Sequence, residues 1–186
     1  LPEGMRKNEA FPEPIITPST KAAQGEHDES VAPSELYKRG AVDPGLYKEL
    51  ARISMRLYER GVSRAADQGM IFVDTKYEFG ISNGKIMLMD EVNTPDSSRY
   101  WMKDDYESRF EKGEEPRKLD KEYVRTWLSD QGFTGDGKPP KLTDEIRVEA
   151  SARYMEVVEK FTKEPMQLDV GPVDDSIYSI LNPFAY

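Results

Sequence analysis

Three segments of the chain carry apolar residues at the spacing of an amphipathic α-helix. The first begins after Asp43-Pro44, a capping residue followed by a proline suited to the first helical turn, and it ends before Gly69. The second follows Asp120 and stops at Gly132, and the third follows Thr143. Their apolar positions are Leu46, Leu50, Ile53, Leu57 and Ala65 in the first, Val124, Trp127 and Leu128 in the second, and Ile146, Ala150, Tyr154, Val157, Val158 and Phe161 in the third. The pattern predicts three helices.

Residues 70–91 change to a two-residue alternation around a turn at Ser82-Asn83-Gly84, which predicts a β-hairpin. The first strand carries Ile71, Val73, Thr75, Tyr77 and Phe79 on one face, and Asp74, Lys76 and Glu78 on the other. The second strand is apolar almost throughout before Asp90, which favours a strand covered on both faces. Residues 92–118 are dense in turn-forming residues and are predicted to be mostly loop. We therefore expect an α+β fold, in which an antiparallel hairpin packs against several helices.

The register of the predicted hairpin depends on the length of its turn. A two-residue turn at Asn83-Gly84 would pair Tyr77 with Asp90, and the carboxylates of Glu78 and Asp90 would then lie on opposite faces. A three-residue turn, with its glycine in left-handed backbone, would set Lys76 across from Asp90 and Glu78 diagonal to it on the same face.

We favour the three-residue turn because it gathers Asp74, Glu78 and Asp90 around Lys76. Two or three converging carboxylates suit Mg²⁺, which takes oxygen ligands and leaves its other positions to water and phosphate. The alternative is an ordinary charged strand face that points to solvent.

The segment after the hairpin has the composition of an anion-binding turn. Pro95-Asp96-Ser97-Ser98 exposes hydroxyls and backbone N–H groups beside the Arg99 guanidinium. Such a set suits a phosphate monoester, although a capped surface turn with a solvated arginine would have the same sequence.

The first 34 residues show neither helical nor strand periodicity, and their prolines favour extended backbone. We expect an ordered loop that passes a site. Lys21, His27 and Asp28 are its candidate binding residues, although single polar residues in a loop are more often solvent-exposed.

The composition excludes several classes of function. With 35 acidic and 26 basic residues the net charge is −9, which disfavours binding to nucleic acid or to an anionic membrane surface. The absence of cysteine excludes disulfides, thiolate catalysis and zinc–thiolate sites, and a cytoplasmic setting is expected. We see neither a membrane-spanning apolar run nor a signal peptide.

Several motifs together resemble the SAICAR synthetase family. They are Phe11-Pro12-Glu13-Pro14-Ile15-Ile16-Thr17-Pro18-Ser19-Thr20-Lys21, Gly25-Glu26-His27-Asp28-Glu29, Asp74-Thr75-Lys76-Tyr77-Glu78-Phe79-Gly80, Asp90-Glu91-Val92-Asn93-Thr94-Pro95-Asp96-Ser97-Ser98-Arg99 and Leu119-Asp120-Lys121-Glu122-Tyr123-Val124-Arg125-Thr126-Trp127-Leu128. They follow the family's order and spacing, and the resemblance covers roughly residues 1–162.

The resemblance implies an ATP- and Mg²⁺-dependent ligase of purine biosynthesis. Such an enzyme joins L-aspartate to the carboxylate of carboxyaminoimidazole ribonucleotide. The matching positions imply that Glu78 and Asp90 serve Mg²⁺ and the nucleotide phosphates. The resemblance also implies that the substrate phosphate is bound by Arg99, Ser98, Ser97 and Asp96. Asp74 and Lys76 would line the reacting centre. Lys21, His27 and Asp28 match a loop near the acceptor site, which we call the acceptor loop.

The resemblance also implies a domain organisation. Residues 1–164 match the C-terminal portion of the family, with 1–34 as active-site loop and 43–162 as α+β core, and 165–186 form a proline-interrupted tail. The family's preceding ATP-binding domain has no counterpart in the sequence, so we expect it as a partner and expect the isolated chain to be inactive. The chain could also form a homo-oligomer. Two alternative functions remain open, which are another ATP/Mg²⁺ phosphotransferase and a non-catalytic acidic domain.

Overall fold

The structure is a computed structural model that describes residues 3–20 and 29–166. It consists of helices and antiparallel strands, so the expected α+β class is confirmed. In chain order the elements are α1 (Pro33–Lys38), α2 (Pro44–Ala66), β1 (Met70–Thr75), β2 (Glu78–Ser82), β3 (Lys85–Met89), β4 (Ser98–Met102), α3 (Tyr106–Lys112), α4 (Glu122–Asp130) and α5 (Asp144–Thr162).

The three helices expected from apolar spacing are α2, α4 and α5. The Asp43 carboxylate accepts hydrogen bonds from the N–H groups of Gly45 (2.8 Å) and Leu46 (3.2 Å), which caps α2. The Thr143 hydroxyl accepts one from the N–H of Ile146 (3.4 Å) at the start of α5. None of the helices in the described ranges is long and apolar enough to cross a membrane.

The strands form two separate two-stranded sheets, β1–β4 and β2–β3. The expected pairing of β1 with the second strand of the hairpin is wrong, because β1 pairs with β4 and β2 pairs with β3. The predicted loop over residues 92–118 is wrong in two places, since it contains β4 and α3. Alternation alone cannot show that β1 finds its neighbour beyond the hairpin, because long-range pairing leaves no local signal.

The β2–β3 turn has two residues, so the three-residue turn is wrong. Ser82 pairs with Lys85, and Glu78 pairs with Met89. Asn83 and Gly84 both have positive φ, at 50° and 73°, which is the backbone of a type I′ turn and the preference of an Asn-Gly pair.

A β-bulge in β1 changes the face that its side chains occupy. Phe72 pairs with Tyr100, but the next pair is Asp74 with Arg99, so Val73 is an extra residue. Phe72 lies on the core side while Asp74 is exposed, although simple alternation would put both on one face. The predicted apolar face of Ile71 and Val73 is therefore wrong, since the buried residues of β1 are Met70 and Phe72.

The core lies between the β1–β4 sheet and helices α2 and α5. Its buried members are Ala65, Met70, Phe72, Tyr100, Met102, Leu119 and Val157. Phe72 is the centre of an aromatic stack, with ring centroids 5.3 Å from Tyr58 and 5.0 Å from Tyr100. Phe161 of α5 meets Tyr100 edge-on at 5.7 Å.

The β2–β3 hairpin lies outside this core. Ile81 is 58% exposed, Met87 49% and Met89 44%, so the expectation that the second strand is covered on both faces is wrong for the described chain. Four neighbouring apolar side chains, these three and Leu88, form an exposed apolar hairpin surface.

Gly61 is expected to resist replacement although it lies within a helix. A Cβ there would come 2.6 Å from Cε1 of Phe72 and 3.0 Å from Nδ2 of Asn93. Alanine normally gains up to about 1 kcal/mol over glycine in a helix, but overpacking costs about 1–3 kcal/mol. We expect Gly61→Ala to destabilise the fold by about 1–2 kcal/mol in urea unfolding. Ser63→Ala, exposed on the same helix, should change stability by less than about 0.5 kcal/mol; equal effects would refute the close approach.

Candidate active site

The exposed face of the β1–β4 sheet carries an ion pair between Asp74 and Arg99. Arg99 Nε donates to Asp74 Oδ1 at 2.8 Å, and Nη2 donates to Oδ2. The pair exists because the bulge sets Asp74 directly opposite Arg99. Hydrogen bonding to Asp74 raises the pKa of Arg99, so the guanidinium is charged throughout the physiological range. Its remaining N–H groups can bind an anion.

Lys76 and Glu78 form a second ion pair, in the connection from β1 to β2. Lys76 Nζ lies 2.7 Å from Glu78 Oε1, with the lysine side chain 56% exposed and the glutamate side chain 14% exposed. The N–H of Lys76 donates to the carbonyl of Ser97 at 3.1 Å, which ties this connection to the start of β4. The chain thus places a cation and a carboxylate beside the Asp74–Arg99 pair.

Hydroxyl groups from two segments meet at the start of β4. Ser98 donates to the Thr75 hydroxyl at 2.9 Å, and the Ser97 hydroxyl lies 3.3 Å from that of Ser98. Thr94 lies 3.3 Å from the Ser97 hydroxyl and donates to the carboxylate of Glu91. We call Thr75, Thr94, Ser97 and Ser98 the hydroxyl cluster. Thr75 was predicted on the apolar face, and its role was missed because nothing local indicates its neighbour on β4.

Asp96 is also part of this turn, and its charge is balanced by Lys121. The ammonium of Lys121 lies 3.3 Å from Asp96 Oδ1, with both side chains about half exposed. Sequence reasoning did not single out Lys121. The turn before Arg99 is therefore paired with a cationic side chain, Lys121, in a chain whose net charge is −9.

The predicted gathering of three carboxylates around Lys76 is wrong. No group of three or more acidic, histidine or cysteine side chains in the described ranges could hold a metal ion. Asp74 pairs with Arg99, and Asp90 follows β3 with left-handed backbone (φ 61°). Since the strand ends at Met89, alternation does not assign the Asp90 side chain to a face.

Asn93 is held by two tyrosines. Tyr77 donates to Asn93 Oδ1 at 2.7 Å and Tyr100 donates to its carbonyl at 2.6 Å, which fixes the residue at a φ of 59°. Burial raises the pKa of Tyr77 to about 12, so its phenol stays protonated and acts as a donor. These bonds fix the path of the chain between Asp90 and the hydroxyl cluster.

A buried carboxylate, Asp120, bonds to the backbone of β4 directly after Arg99. Asp120 is 1% exposed, and it accepts hydrogen bonds from the N–H groups of Tyr100 (2.9 Å) and Glu122 (2.8 Å). It therefore joins β4 to the first turn of α4. The sequence predicted only its capping role, since a helix cap gives no sign of a second bond to a strand.

Asp120 should make stability depend on pH. Burial raises its pKa from 3.8 to about 6, so the folded state holds the proton at pH values where the unfolded state has released it. Stability is therefore greatest below pH 4 for this group, and on the order of 2–3 kcal/mol is lost as pH rises from about 4 to about 6. We expect the difference in unfolding free energy between wild type and Asp120→Asn to shrink by about that amount over the same range, by urea unfolding. A difference that is independent of pH would contradict the assignment.

Backbone hydrogen bonds join residues 18–20 to residues 29–31, on either side of the segment that carries Lys21, His27 and Asp28. Thr20 N–H donates to the Glu29 carbonyl at 3.0 Å and Val31 N–H donates to that of Pro18 at 3.1 Å. Lys21, His27 and Asp28 lie outside the described residues, as does most of the predicted tail, 167–186.

Comparison with known proteins identifies the family. A model described as SAICAR synthetase matches residues 1–142. A phosphoribosylaminoimidazole-succinocarboxamide synthase of Bacteroides thetaiotaomicron is 52% identical over 166 residues, which are 88% of this chain and 53% of that relative. This chain belongs to the SAICAR synthetase family.

Other SAICAR synthetases agree with this assignment. The Flavobacterium psychrophilum relative is 43% identical over 181 residues, covering 95% of this chain and 57% of its own. The chain spans about half the length of the curated relatives it matches.

Solved SAICAR synthetase structures share the fold. SAICAR-synthase from Saccharomyces cerevisiae, complexed with SAICAR, has a TM-score of 0.71 and 34% identity, over 90% of this chain and 52% of that one. A SAICAR synthetase in complex with ADP has a TM-score of 0.63 and 28% identity, over 90% of this chain and 57% of that one.

Proposed function

We propose that this chain supplies the ribonucleotide phosphate site and the metal site of a SAICAR-forming ligase. In this reaction the carboxylate of carboxyaminoimidazole ribonucleotide takes the γ-phosphoryl group of ATP, and ADP leaves. The amine of L-aspartate then attacks the acyl carbon, phosphate leaves, and the amide of SAICAR forms. Family membership supports this reaction, and the Asp74–Arg99 ion pair, directly after the Ser97-Ser98 turn in the chain, is the observation that carries the site.

The phosphate of the ribonucleotide is assigned to Arg99 and the turn before it. Arg99 offers the N–H groups that Asp74 does not engage, and Ser97 offers a hydroxyl, while Ser98, which is buried and donates to Thr75, would hold the turn in place. Asp96 would repel a phosphate by itself, but its ion pair with Lys121 offsets that charge. Asp96 therefore shapes the turn and holds Lys121 near the anion.

Asp74 and Lys76 are assigned to the reacting centre. Lys76 carries positive charge next to the Arg99 site, and Asp74 holds the guanidinium in place by two hydrogen bonds. Positive charge matters because the phosphoryl group moves between two anions, whose repulsion the site must offset. Lys21, His27 and Asp28 keep their proposed place at the acceptor loop, near the aspartate substrate.

Mg²⁺ needs only one or two protein carboxylates and takes its other ligands from water and phosphate, so it could be held without the three-carboxylate cluster that the described residues lack. Glu78 is a shielded carboxylate fixed by Lys76, and Asp90 is an exposed carboxylate held in left-handed backbone. These two would hold the ion together with the ATP phosphates. Bound there, Mg²⁺ would neutralise charge between phosphate and carboxylate oxygens.

The ATP-binding half of the ligase is proposed as a further part of the enzyme, outside residues 1–164. The exposed apolar hairpin surface supports this, because such surfaces mark places where proteins bind one another. A cytoplasmic setting is part of the same proposal and agrees with a chain free of cysteine.

A fusion protein tests the function. The chain is joined to the preceding half of the Bacteroides thetaiotaomicron relative and given ATP, Mg²⁺, carboxyaminoimidazole ribonucleotide and L-aspartate. We expect SAICAR to form only when all are present, and the unfused chain to show no turnover. ADP release that does not need aspartate would indicate a phosphotransferase instead. Failure of the unfused chain to bind the ribonucleotide in calorimetry would contradict the site.

A further inference from the structure

A groove on the helical side of the fold holds two arginines that pair with no carboxylate in the described part of the chain. It lies between α2, α5 and the 92–93 segment, has a volume of about 360 Å³, and is lined in part by Arg60 and Arg64. Neither arginine forms an ion pair or hydrogen bond with another described residue, whereas Arg39, Arg52 and Arg99 are each tied to a carboxylate. Among residues 3–20 and 29–166, none that lines the groove is acidic.

The two guanidinium groups belong to one face of α2. Residues four apart in a helix have Cβ atoms roughly 5–6 Å apart, so both side chains reach the same part of the groove. With 35 acidic and 26 basic residues in the chain, an arginine pair that makes no ion pair with a described carboxylate concentrates positive charge where an anion can use it.

Asn93 adds a fixed hydrogen-bond donor to the groove floor. Its Oδ1 is engaged by Tyr77 and its carbonyl by Tyr100. These bonds direct Nδ2 toward Gly61, at 3.0 Å from the place a Cβ would occupy. Because the amide is already held, binding a ligand would cost little further ordering.

The rest of the groove is apolar. Leu57, Val92 and Phe161 form its walls together with Tyr100, and Val92 is 40% exposed. A volume of about 360 Å³ falls at the lower end of the range for small-molecule sites, roughly 300–1,000 Å³. The groove combines double positive charge with a flat apolar wall.

The groove is separate from the candidate active site. Tyr100 lines the groove and points into the core, while its neighbour Arg99 lies on the opposite face of β4. The thickness of the β1–β4 sheet therefore lies between the groove and the Asp74–Arg99 pair.

We propose that this groove is a second anion site, which binds a small organic phosphate monoester that carries an apolar ring. The dianionic phosphate lies between the guanidinium groups of Arg60 and Arg64, which match it in charge and in forked geometry. The ring lies against Val92 and Phe161, and the Asn93 amide donates to a phosphate or ring oxygen.

Phenyl phosphate tests the proposal in calorimetric titrations of the full chain. We expect one molecule to bind the groove, and the Arg60→Gln/Arg64→Gln double variant to weaken this binding at least tenfold. Arg56→Gln removes the same charge one turn earlier on α2, at a residue that does not line the groove, and should change affinity less than twofold. Arg99→Gln should also change it less than twofold, which separates this site from the proposed ribonucleotide site.

Charge placed in the groove gives an independent readout. Val92→Asp should abolish phenyl phosphate binding by repulsion, whereas Val62→Asp, a similarly exposed valine on α2 outside the groove, should retain it. Phenol and inorganic phosphate should each bind more weakly than phenyl phosphate. Absence of saturable binding, equal affinity in the double variant, or loss of binding in Arg99→Gln would each overturn the proposal.

Discussion

Arg99→Gln is expected to weaken ribonucleotide binding about 100-fold, which corresponds to about 2.7 kcal/mol. The change removes a charge-assisted contact to phosphate and leaves the Asp74 carboxylate unpaired at the same place, where it repels the anion. Glutamine keeps the approximate length of the side chain, so stability should change little at this exposed position. Calorimetry with carboxyaminoimidazole ribonucleotide measures the effect.

Arg117→Gln is a matched control for this experiment. The Arg117 side chain is 45% exposed, as is that of Arg99, and it too faces an aspartate, Asp104, at 3.5 Å. It should alter ribonucleotide affinity less than twofold. Equal weakening by both variants would mean that net charge, and not the Arg99 site, determines the affinity.

Phe72→Ala is expected to cost about 3–5 kcal/mol of folding free energy, the largest single loss we foresee. Phe72 is 3% exposed and stacked between Tyr58 and Tyr100, so its removal leaves a cavity that two large rings cannot easily fill. Urea unfolding followed by circular dichroism measures the loss. In a chain of this size the melting temperature should fall by roughly 6–20 °C.

Ile81→Ala is the contrasting substitution in the exposed hairpin. It removes apolar atoms from a side chain that is 58% exposed, so the expected loss in the isolated chain is below about 0.5 kcal/mol. Comparable losses at both positions would mean that the hairpin surface is covered, contrary to the fold described above.

The helices were predictable because their signals are local. Asp43 with Pro44 and Thr143 mark helix starts by side chains that bond the nearest free N–H groups, and the structure shows those bonds. The strand partners were not predictable, since the residues of β1 pair with residues that are 23 to 32 positions away in sequence. The Asn83-Gly84 pair does indicate the two-residue turn that the structure shows. The three-residue turn is favoured only by the idea that three carboxylates converge, and this idea is wrong.

The sequence predicted which residues belong to the candidate site, but it did not predict most of the contacts between them. The Ser97 and Ser98 hydroxyls do lie close to each other, and Lys76 does meet Glu78. The Asp74–Arg99 contact could not be foreseen, because it requires both the β4 pairing and the bulge at Val73. The roles of all these residues remain proposals, and those of Lys21, His27 and Asp28 concern residues outside the described ranges.

The bulge at Val73 has a consequence for which changes of chain length β1 can accept. Removing Val73 would leave Met70 and Phe72 facing inward and Asp74 facing outward, in an unbroken ladder with β4. It would remove the Val73 carbonyl, which accepts a hydrogen bond from the Tyr58 hydroxyl. Removing Ile71 would instead turn Met70 away from the interior. If relatives of this chain lack one residue between Met70 and Asp74, we therefore expect the missing residue to be the one at Val73.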